Sequence, residues 1–404
     1  METLKILMVS TYYPPNHIGG DAVMVQYLST ELAKRGHEVE VFCSPSVREV
    51  VHKRDIVKPK PSGDQVRVHE YAALLKRGEP ALSYCLGLWG RARNRLQEIS
   101  SALKPDVVHW HNTKAFIARP TRLGTERTVY TAHDYFAVCP KTHLIKHDGE
   151  LCDRARQCQL CLLRSQKYPQ LWRVGSKRVF DFPENSIIIC PSEFMAKRLR
   201  ADGIRNTHVI RNFAPDRGTF SNDRTTPKDT LTYVGIMEKH KGPHRLLEAF
   251  AASKTQQGFN LALVGEGSIR GTLLDRSHAQ GIVDRVRIPG FVDQTELDSI
   301  LRRTAAVFVP SEWFENCPLV VPEAYSRSIP VVASSIGGLP EIVGDESGSI
   351  LFQAGSEEMM ARAMTKLWEE RERLVGMGIR ARRAFENLYG ADKYISGYLE
   401  AINA

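Results

Sequence analysis

Short aliphatic and β-branched runs alternate along this chain with stretches whose apolar positions recur at helical spacing. LKILMVS near the start is followed by a helix through Val23 to Lys34, whose Val25, Leu28, Leu32 and Ala33 recur at helical intervals and which Gly36 ends. HEVEVFC, PDVVHWH, RTVYTAH and SIIICPS continue the series. Repeated β-α units of this kind predict a parallel sheet. Residues 45–80 are charged and read as strands and loops.

A polar stretch, RNFAPDRGTFSNDRTTPKDT, carries turn formers and no periodicity, and a second series follows it. DTLTYVG, FNLALVG, RVRIPGF, AAVFVPS, IPVVASS and SGSILFQ are its strands, with helices between several of them. A single barrel needs eight evenly spaced units without such a break, so the pattern predicts an α/β chain of two doubly wound, Rossmann-like domains. Such sheets bind ligands outside the carboxyl ends of their strands, which predicts a site in a cleft between the domains. A last helical stretch, from about Arg380 to Asn403, has no following strand to pair with.

At 404 residues and roughly 150 per domain, two or three domains are expected. Hydrophobic residues at 42% and charged residues at 25% are ordinary for a globular protein and exclude a fibrous or largely disordered chain. The net charge of +9 favours acidic partners: nucleic acid, anionic lipid or phosphorylated small molecules. The start METLKILMVS lacks the basic region and cleavage site of a secretory signal, and no apolar run reaches the length of a spanning helix. The expectation is therefore a cytoplasmic protein whose contact with a membrane, if it makes one, is peripheral at the inner face.

Four of the eight cysteines, Cys139, Cys152, Cys158 and Cys161, cluster in CPKTHLIKHDGELCDRARQCQLC. Four thiolates satisfy tetrahedral zinc, so structural zinc leads, with His143 and His147 as substitute ligands; paired disulfides, an iron-sulfur cluster and free thiols stay open. Beyond the cluster, Arg164, Lys167, Arg173, Lys177 and Arg178 interleave with Tyr168, Leu171, Trp172, Val179 and Phe180. This fits a basic amphipathic face on an anionic membrane surface, or a helix that turns its apolar stripe inward. Nucleic acid is not an expected partner, because the cations are otherwise dispersed and no reading motif accompanies them. Gly265-Glu266-Gly267 lacks the third glycine of a dinucleotide fingerprint.

The richest chemistry lies in PSEWFENCPLVVPEAYSRSIPVVASSIGGLPEIV. Pro318 suits the first position of a helix, where the amides of Leu319 and Val320 would meet an anion such as diphosphate. Glu315 and Glu323 can each accept from two neighbouring sugar hydroxyls, although the spacing alone also fits two solvated surface charges.

These residues arrive with Gly19-Gly20, Arg35-Gly36-His37-Glu38-Val39, Val234-Gly235 through Lys241-Gly242, Pro330-Val331-Val332-Ala333 and Gly337-Gly338. In those motifs and their order the chain resembles glycosyltransferase family 4, retaining enzymes of the two-domain GT-B fold. The resemblance implies transfer of a sugar from a nucleoside-diphosphate-sugar donor to a hydroxyl of a glycan or lipid-linked acceptor, with no catalytic metal. It implies an acceptor-side domain over residues 1–215 with a cysteine-rich insertion at about 139–165, a nucleotide-sugar-binding domain over 216–384, and a helix over 385–404 crossing back. By the same resemblance Gly20 faces the donor diphosphate, Lys241 holds its phosphates, Glu315 holds the donor sugar and Glu323 the ribose. Asn316, Cys317, Pro318, Leu319 and Val320 complete the donor side. His133 lies beside the donor sugar and joins Glu315 and Lys241 as the catalytic group, while His111 is an acceptor-side candidate.

One position departs from the pattern. Ile236 stands where relatives commonly carry Arg, and Ile cannot donate to phosphate. This leaves Lys241 as the phosphate cation unless Lys239 or His240 substitutes. It keeps a non-catalytic nucleotide-sugar-binding protein as the alternative, with a zinc-stabilised nucleic-acid-binding protein a more distant one.

Overall fold

The computed structural model describes residues 3–403, apart from 17–18, 46–64, 74–77, 115, 118, 153–157, 175–179, 220–227, 254 and 256–257. Much of the 45–80 segment thus lies outside the described residues, as do Lys177, Arg178 and Val179. The chain divides into two compact units: Met1–Arg211 with Tyr394–Ala404, and Asn212–Lys393.

The first unit runs β1 (Lys5–Val9), α1 (Gly20–Lys34), β2 (Glu38–Cys43), β3 (Arg67–Glu70), α2 (Gly78–Leu86), α3 (Gly90–Leu103), β4 (Val107–Trp110), β5 (Arg127–Thr131), α4 (Cys158–Arg164), β6 (Ile187–Cys190), α5 (Glu193–Ala201) and β7 (Thr207–Val209). Its sheet is ordered β3-β2-β1-β4-β5-β6-β7, and its pairs are parallel. Helix α1 forms where the sequence places it, with Val25, Leu28 and Leu32 buried. It ends where Gly36, at φ 87, returns its amide to the Ala33 carbonyl at 2.9 Å.

The second unit runs β8 (Thr230–Val234), α6 (Pro243–Ala252), β9 (Asn260–Val264), α7 (Arg270–Ala279), β10 (Val286–Gly290), α8 (Gln294–Arg302), β11 (Thr304–Val309), α9 (Val320–Ser326), β12 (Val331–Ser334), α10 (Leu339–Ile342), β13 (Ile350–Phe352), α11 (Glu357–Glu369) and α12 (Leu374–Ala384). Its parallel sheet is ordered β10-β9-β8-β11-β12-β13. Each side of that sheet has its own apolar cluster. Ala306 and Phe308 enter one, with Leu231, Leu261 and Leu263. Val307 and Val309 enter the other, with Val331 and Ala333. Alternate residues of β11 therefore face opposite ways, yet both faces are dry, as covered parallel strands require.

Two local expectations are corrected. The C-terminal stretch is not one helix: a π-helical turn, Phe385–Tyr389, follows α12, and Gly390 leaves helical geometry before α13 (Ala391–Asn403). Over its described residues the basic segment after Cys161 is not an amphipathic helix either. Helix α4 stops at Arg164, and a short 3-10 turn covers Leu171–Arg173. Arg173 is buried, its guanidinium 4.5–4.8 Å from the ring centres of Phe136, Trp172 and Phe180, and it donates to the Phe136 carbonyl. Stacking on three rings stabilises a buried cation that surface solvation would otherwise claim.

The loops after β8, β9 and β11 meet backbone to backbone. Gly242 sits at φ 75, and a Cβ there would lie 1.9 Å from the Pro310 carbonyl oxygen. Gly271, inside α7, has open space around it. Gly242→Ala is therefore expected to destabilise the second unit by about 2–4 kcal/mol. Gly271→Ala should be neutral or stabilising by up to ~1 kcal/mol. Urea unfolding of the two variants checks the contrast, and equal midpoints would refute it.

Candidate functional site

Both units place polar side chains at the carboxyl ends of the two strands where the sheet order reverses, β1 and β4 in the first and β8 and β11 in the second. In the second unit the chain leaves β8, makes a 3-10 turn over Lys239–Lys241 and enters α6. It leaves β11 into the loop holding Ser311, Trp313 and Glu315. Lys241 and Glu315 meet there, Nζ donating to Oε1 at 2.8 Å, and Ser311 Oγ donates to the same oxygen at 2.6 Å. The Lys241 ammonium also lies 4.3 Å from the centre of the Trp313 ring. Glu315 is only 5% exposed. Burial alone pushes its carboxyl up. The Lys241 charge and hydrogen bonds from Lys241, Ser311 and Trp313 outweigh it and hold the group below the usual carboxylate range.

Gly337 and Gly338 hold this loop from behind. The Gly338 amide donates to the Glu315 carbonyl at 2.6 Å, and a Cβ on Gly337, at φ 63, would lie 2.4 Å from that oxygen. Asn316 and Cys317 are buried, and the Cys317 carbonyl accepts from Asn212 Nδ2 at 2.7 Å. Pro318 precedes rather than begins α9, because Leu319 is the cap and Val320 the first helical residue. Glu323 lies in the first turn of α9, partly exposed. Ile236 is 36% exposed beside these loops, and its carbonyl accepts from the Tyr233 hydroxyl at 2.7 Å.

In the first unit, Gly19 takes the left-handed φ of 79 and Gly20 is the first residue of α1. Asp21 follows and accepts from Asn112 Nδ2 at 2.6 Å. His111 Nδ1 and His133 Nε2 share a hydrogen bond of 2.9 Å, and the two rings stack at 5.2 Å. His109 lies against His111 with ring centres 3.9 Å apart and bonds Thr131 Oγ1 at 2.8 Å. Tyr398 of α13 stacks on its other side at 5.3 Å. Asp134 caps the turn after β5 by accepting from the Phe136 amide at 2.8 Å, and its other oxygen accepts from Lys114.

His133 is partly exposed, whereas His111 is 1% exposed and offers an acceptor no surface; it stands behind His133. Burial, reinforced by the neighbouring imidazoles, drives His109 and His111 well below the ordinary histidine range. Burial lowers His133 as well, against the opposing pull of Asp21 and Asp134. All three rings are thus neutral near pH 7.

The structure brings together Lys241 with Glu315, and His111 with His133. Ser311, Trp313, Asp21, Asn112 and Lys114 join these groups without having been singled out in the sequence; Ser311 and Trp313 lie within a few residues of Glu315, Asp21 follows Gly20, and Asn112 and Lys114 follow His111. Among the described residues no three His, Cys, Asp or Glu side chains are placed to hold a metal ion, and Cys139, Cys152, Cys158 and Cys161 are in no disulfide. Burial, and then the nearby Cys139 and Cys152, push the Cys158 thiol up to about 11. The structure therefore lends the zinc expectation no support.

Comparisons with known proteins bear on what these edges do. Residues 18–216 match the family described as Glycosyltransferase Family 4, and residues 217–384 match Glycosyl transferases group 1. A glycogen synthase of Mycobacterium tuberculosis is 30% identical over 364 residues, spanning 84% of this chain and 80% of its own. An N-acetyl-alpha-D-glucosaminyl L-malate synthase of Bacillus anthracis is 23% identical over 98% of this chain and 96% of its own. Among solved structures, the sucrose-phosphate synthase of Thermosynechococcus elongatus superposes with a TM-score of 0.72 at 17% identity, covering 98% of each chain. Anabaena HepE, solved with UDP and glucose, gives 0.67 at 16% identity, covering 99% of this chain and 100% of that one.

The neutral histidines set a pH dependence. Their folded pKa values lie below the unfolded one near 6.5, so the unfolded chain binds more protons as pH falls. Their stabilising contribution is complete above that value and declines below it, by about 1.4 kcal/mol per pH unit for each fully buried ring. Urea unfolding from about pH 7.5 to 5.5 should show this slope, and His109→Asn should reduce it by one proton's worth. A slope unchanged by the substitution would contradict the assignment.

Proposed function

The chain belongs to glycosyltransferase family 4 and has the GT-B fold of two Rossmann-like domains, and from that membership we propose that it is a retaining hexosyltransferase using a nucleoside-diphosphate sugar. The acceptor is a hydroxyl of a glycan or glycolipid. In this reading the second unit binds the donor and the first unit the acceptor. The observation that carries it is the pairing of Lys241 with Glu315 beside Trp313 at the carboxyl edge of the second sheet. Anabaena HepE, whose structure contains UDP and glucose, supports a nucleoside diphosphate as the leaving group.

Lys241 is a compact cation with one contact to the Glu315 carboxylate and part of its surface open. A donor diphosphate offers it a second anion. Lys241 then stabilises the negative charge that grows as the sugar–phosphate bond breaks. Glu315, held ionised and fixed by Ser311, accepts from hydroxyls of the transferred sugar, and Glu323 from those of the ribose. Leu319 and Val320 sit where helix α9 leaves its first amides without intrahelical acceptors, which suits phosphate oxygens. Attack from the face the diphosphate leaves gives retention without a covalent intermediate, a phosphate oxygen taking the acceptor proton. His133, neutral and partly exposed at the first sheet's edge, is a hydrogen-bonding partner for a sugar hydroxyl. Among the described residues no helix is long and apolar enough to cross a membrane.

Glu315→Gln keeps the shape of the side chain while removing its charge. Transfer to an acceptor panel is expected to fall by at least about 100-fold, with nucleoside-diphosphate binding retained in a thermal-shift assay. Near-normal turnover would remove Glu315 from the role. Lys241→Ala leaves the Glu315 carboxylate buried without its cation, at a cost of up to about 3–5 kcal/mol. It should also abolish diphosphate-induced stabilisation, which Lys241→Arg should partly restore. Donor binding by the natural chain with neither transfer nor hydrolysis would favour the non-catalytic alternative that Ile236 motivates.

A further inference from the structure

The apolar exposure of the first unit is concentrated in two segments far apart in sequence. Leu82 and Leu88 belong to the first, and Leu163, Tyr168, Leu171 and Val174 to the second, with Tyr168 76% exposed and Leu88, Leu163 and Val174 each above half. One polar tie joins the two segments, and two more hold the second one together. Trp172 Nε1 donates to the Tyr84 carbonyl at 2.9 Å, and Gln159 exchanges two hydrogen bonds with the Gln170 backbone at 2.8 and 2.9 Å. A Cβ at Gly87 would meet the Trp172 side chain at 3.2 Å, so α2 and the 3-10 turn are in close contact. The exposed side chains thus project from, or directly beside, three short elements, α2, α4 and the Leu171–Arg173 turn.

The exposed charges among them are mainly cations; the acids of the same helices are Glu79, in the first turn of α2, and Glu98, which pairs with Arg95 at 2.8 Å. Residues 80–97 contain Arg91, Arg93 and Arg95 and no acid; residues 158–174 contain Arg164, Lys167 and the buried Arg173 and no acid. Arg91, Arg93, Arg164 and Lys167 are exposed. Large apolar side chains beside an excess of cations suit a partner with an apolar interior under a negative face.

We propose that this surface, formed by α2, the start of α3, α4 and the turn at Leu171–Arg173, docks the protein peripherally on an anionic lipid bilayer. The leucines, Tyr168 and Val174 enter the headgroup boundary while the arginines and Lys167 lie at the level of the lipid phosphates. The face is broader than the 164–180 run read from the sequence, and it includes α2, which that reading did not contain. It stands independently of the transfer reaction, because none of its residues belongs to the donor edge.

Cosedimentation of the full chain with vesicles tests it, using phosphatidylcholine alone and phosphatidylcholine mixed with phosphatidylglycerol. Binding is expected only to the mixed vesicles and should weaken with salt. Leu163→Glu combined with Val174→Glu should reduce binding by about tenfold or more, and each of Arg91→Gln and Arg164→Gln by about fivefold. Thermal stabilisation by nucleoside diphosphate should be unchanged in every variant, which separates lost docking from lost fold. Absence of binding to the mixed vesicles, or binding indifferent to these substitutions, would overturn the proposal. So would a dimer in light scattering that the apolar-to-acid variant dissolves, since the face would then be a contact between copies.

Discussion

Parallel strands covered on both faces leave polar chemistry no place but their ends. In the second unit Ala306 and Phe308 enter one apolar cluster and Val307 and Val309 the other, so β11 has no wet side along its length. Within six residues of its end the chain presents Ser311, Trp313 and Glu315. The first unit repeats the arrangement, with β4 buried throughout and β5 buried after Arg127, delivering His111 and His133 at their ends. Strand order then selects which ends matter. The connections diverge between β1 and β4 and between β8 and β11, and the paired groups sit on the loops flanking those openings.

At these two edges burial has opposite electrostatic results, and the difference lies in the partners. Glu315 and His111 are both almost inaccessible. Glu315 stays ionised because an ammonium and a hydroxyl converge on one of its oxygens, whereas His111 faces only other imidazoles and stays neutral. A buried ion pair adds little net stability compared with apolar packing, so stability alone is a weak reason for Lys241 and Glu315 to be there. On the proposed reading the pair is a charge held ready. A diphosphate that attracts Lys241 leaves the Glu315 carboxylate to seek hydroxyl donors, and a sugar attached to that diphosphate carries them.

Strands such as SIIICPS and AAVFVPS were legible because burial on both faces demands unbroken apolar runs, a signal that survives without neighbours. Pairings across distance carried no such signal. Lys241 and Glu315 lie 74 positions apart, and nothing in the spacing joins them; the family likeness singled out both residues but not their contact. The basic run after Cys161 misled for a related reason. An arginine enclosed by Phe136, Trp172 and Phe180 reads like a solvated one, because Phe136 comes from a separate segment and the folding-back of the run onto its own rings has no periodic signal. His111 was read as acceptor-facing, since periodicity cannot say that His133 stands in front of it. The C-terminal stretch kept its helical pattern through Gly390, where only the backbone turn divides it.

Net charge was a poor guide to where acidic partners would be met. Much of the second unit's arginine is spent internally: Arg327 on Asp298, Arg382 on Asp216 and Glu386, Arg245 on Glu312 and Glu357. Each such pair neutralises its own field within a few ångströms. The stretches 80–97 and 158–174 of the first unit have cations with no acid in the same stretch, and they coincide with its largest exposed apolar side chains. Lone surface charges and lone exposed leucines each need no explanation. Their coincidence on one face does, because solvating the cations would be served equally well by a polar surface, and only a partner that is apolar beneath and anionic above uses both.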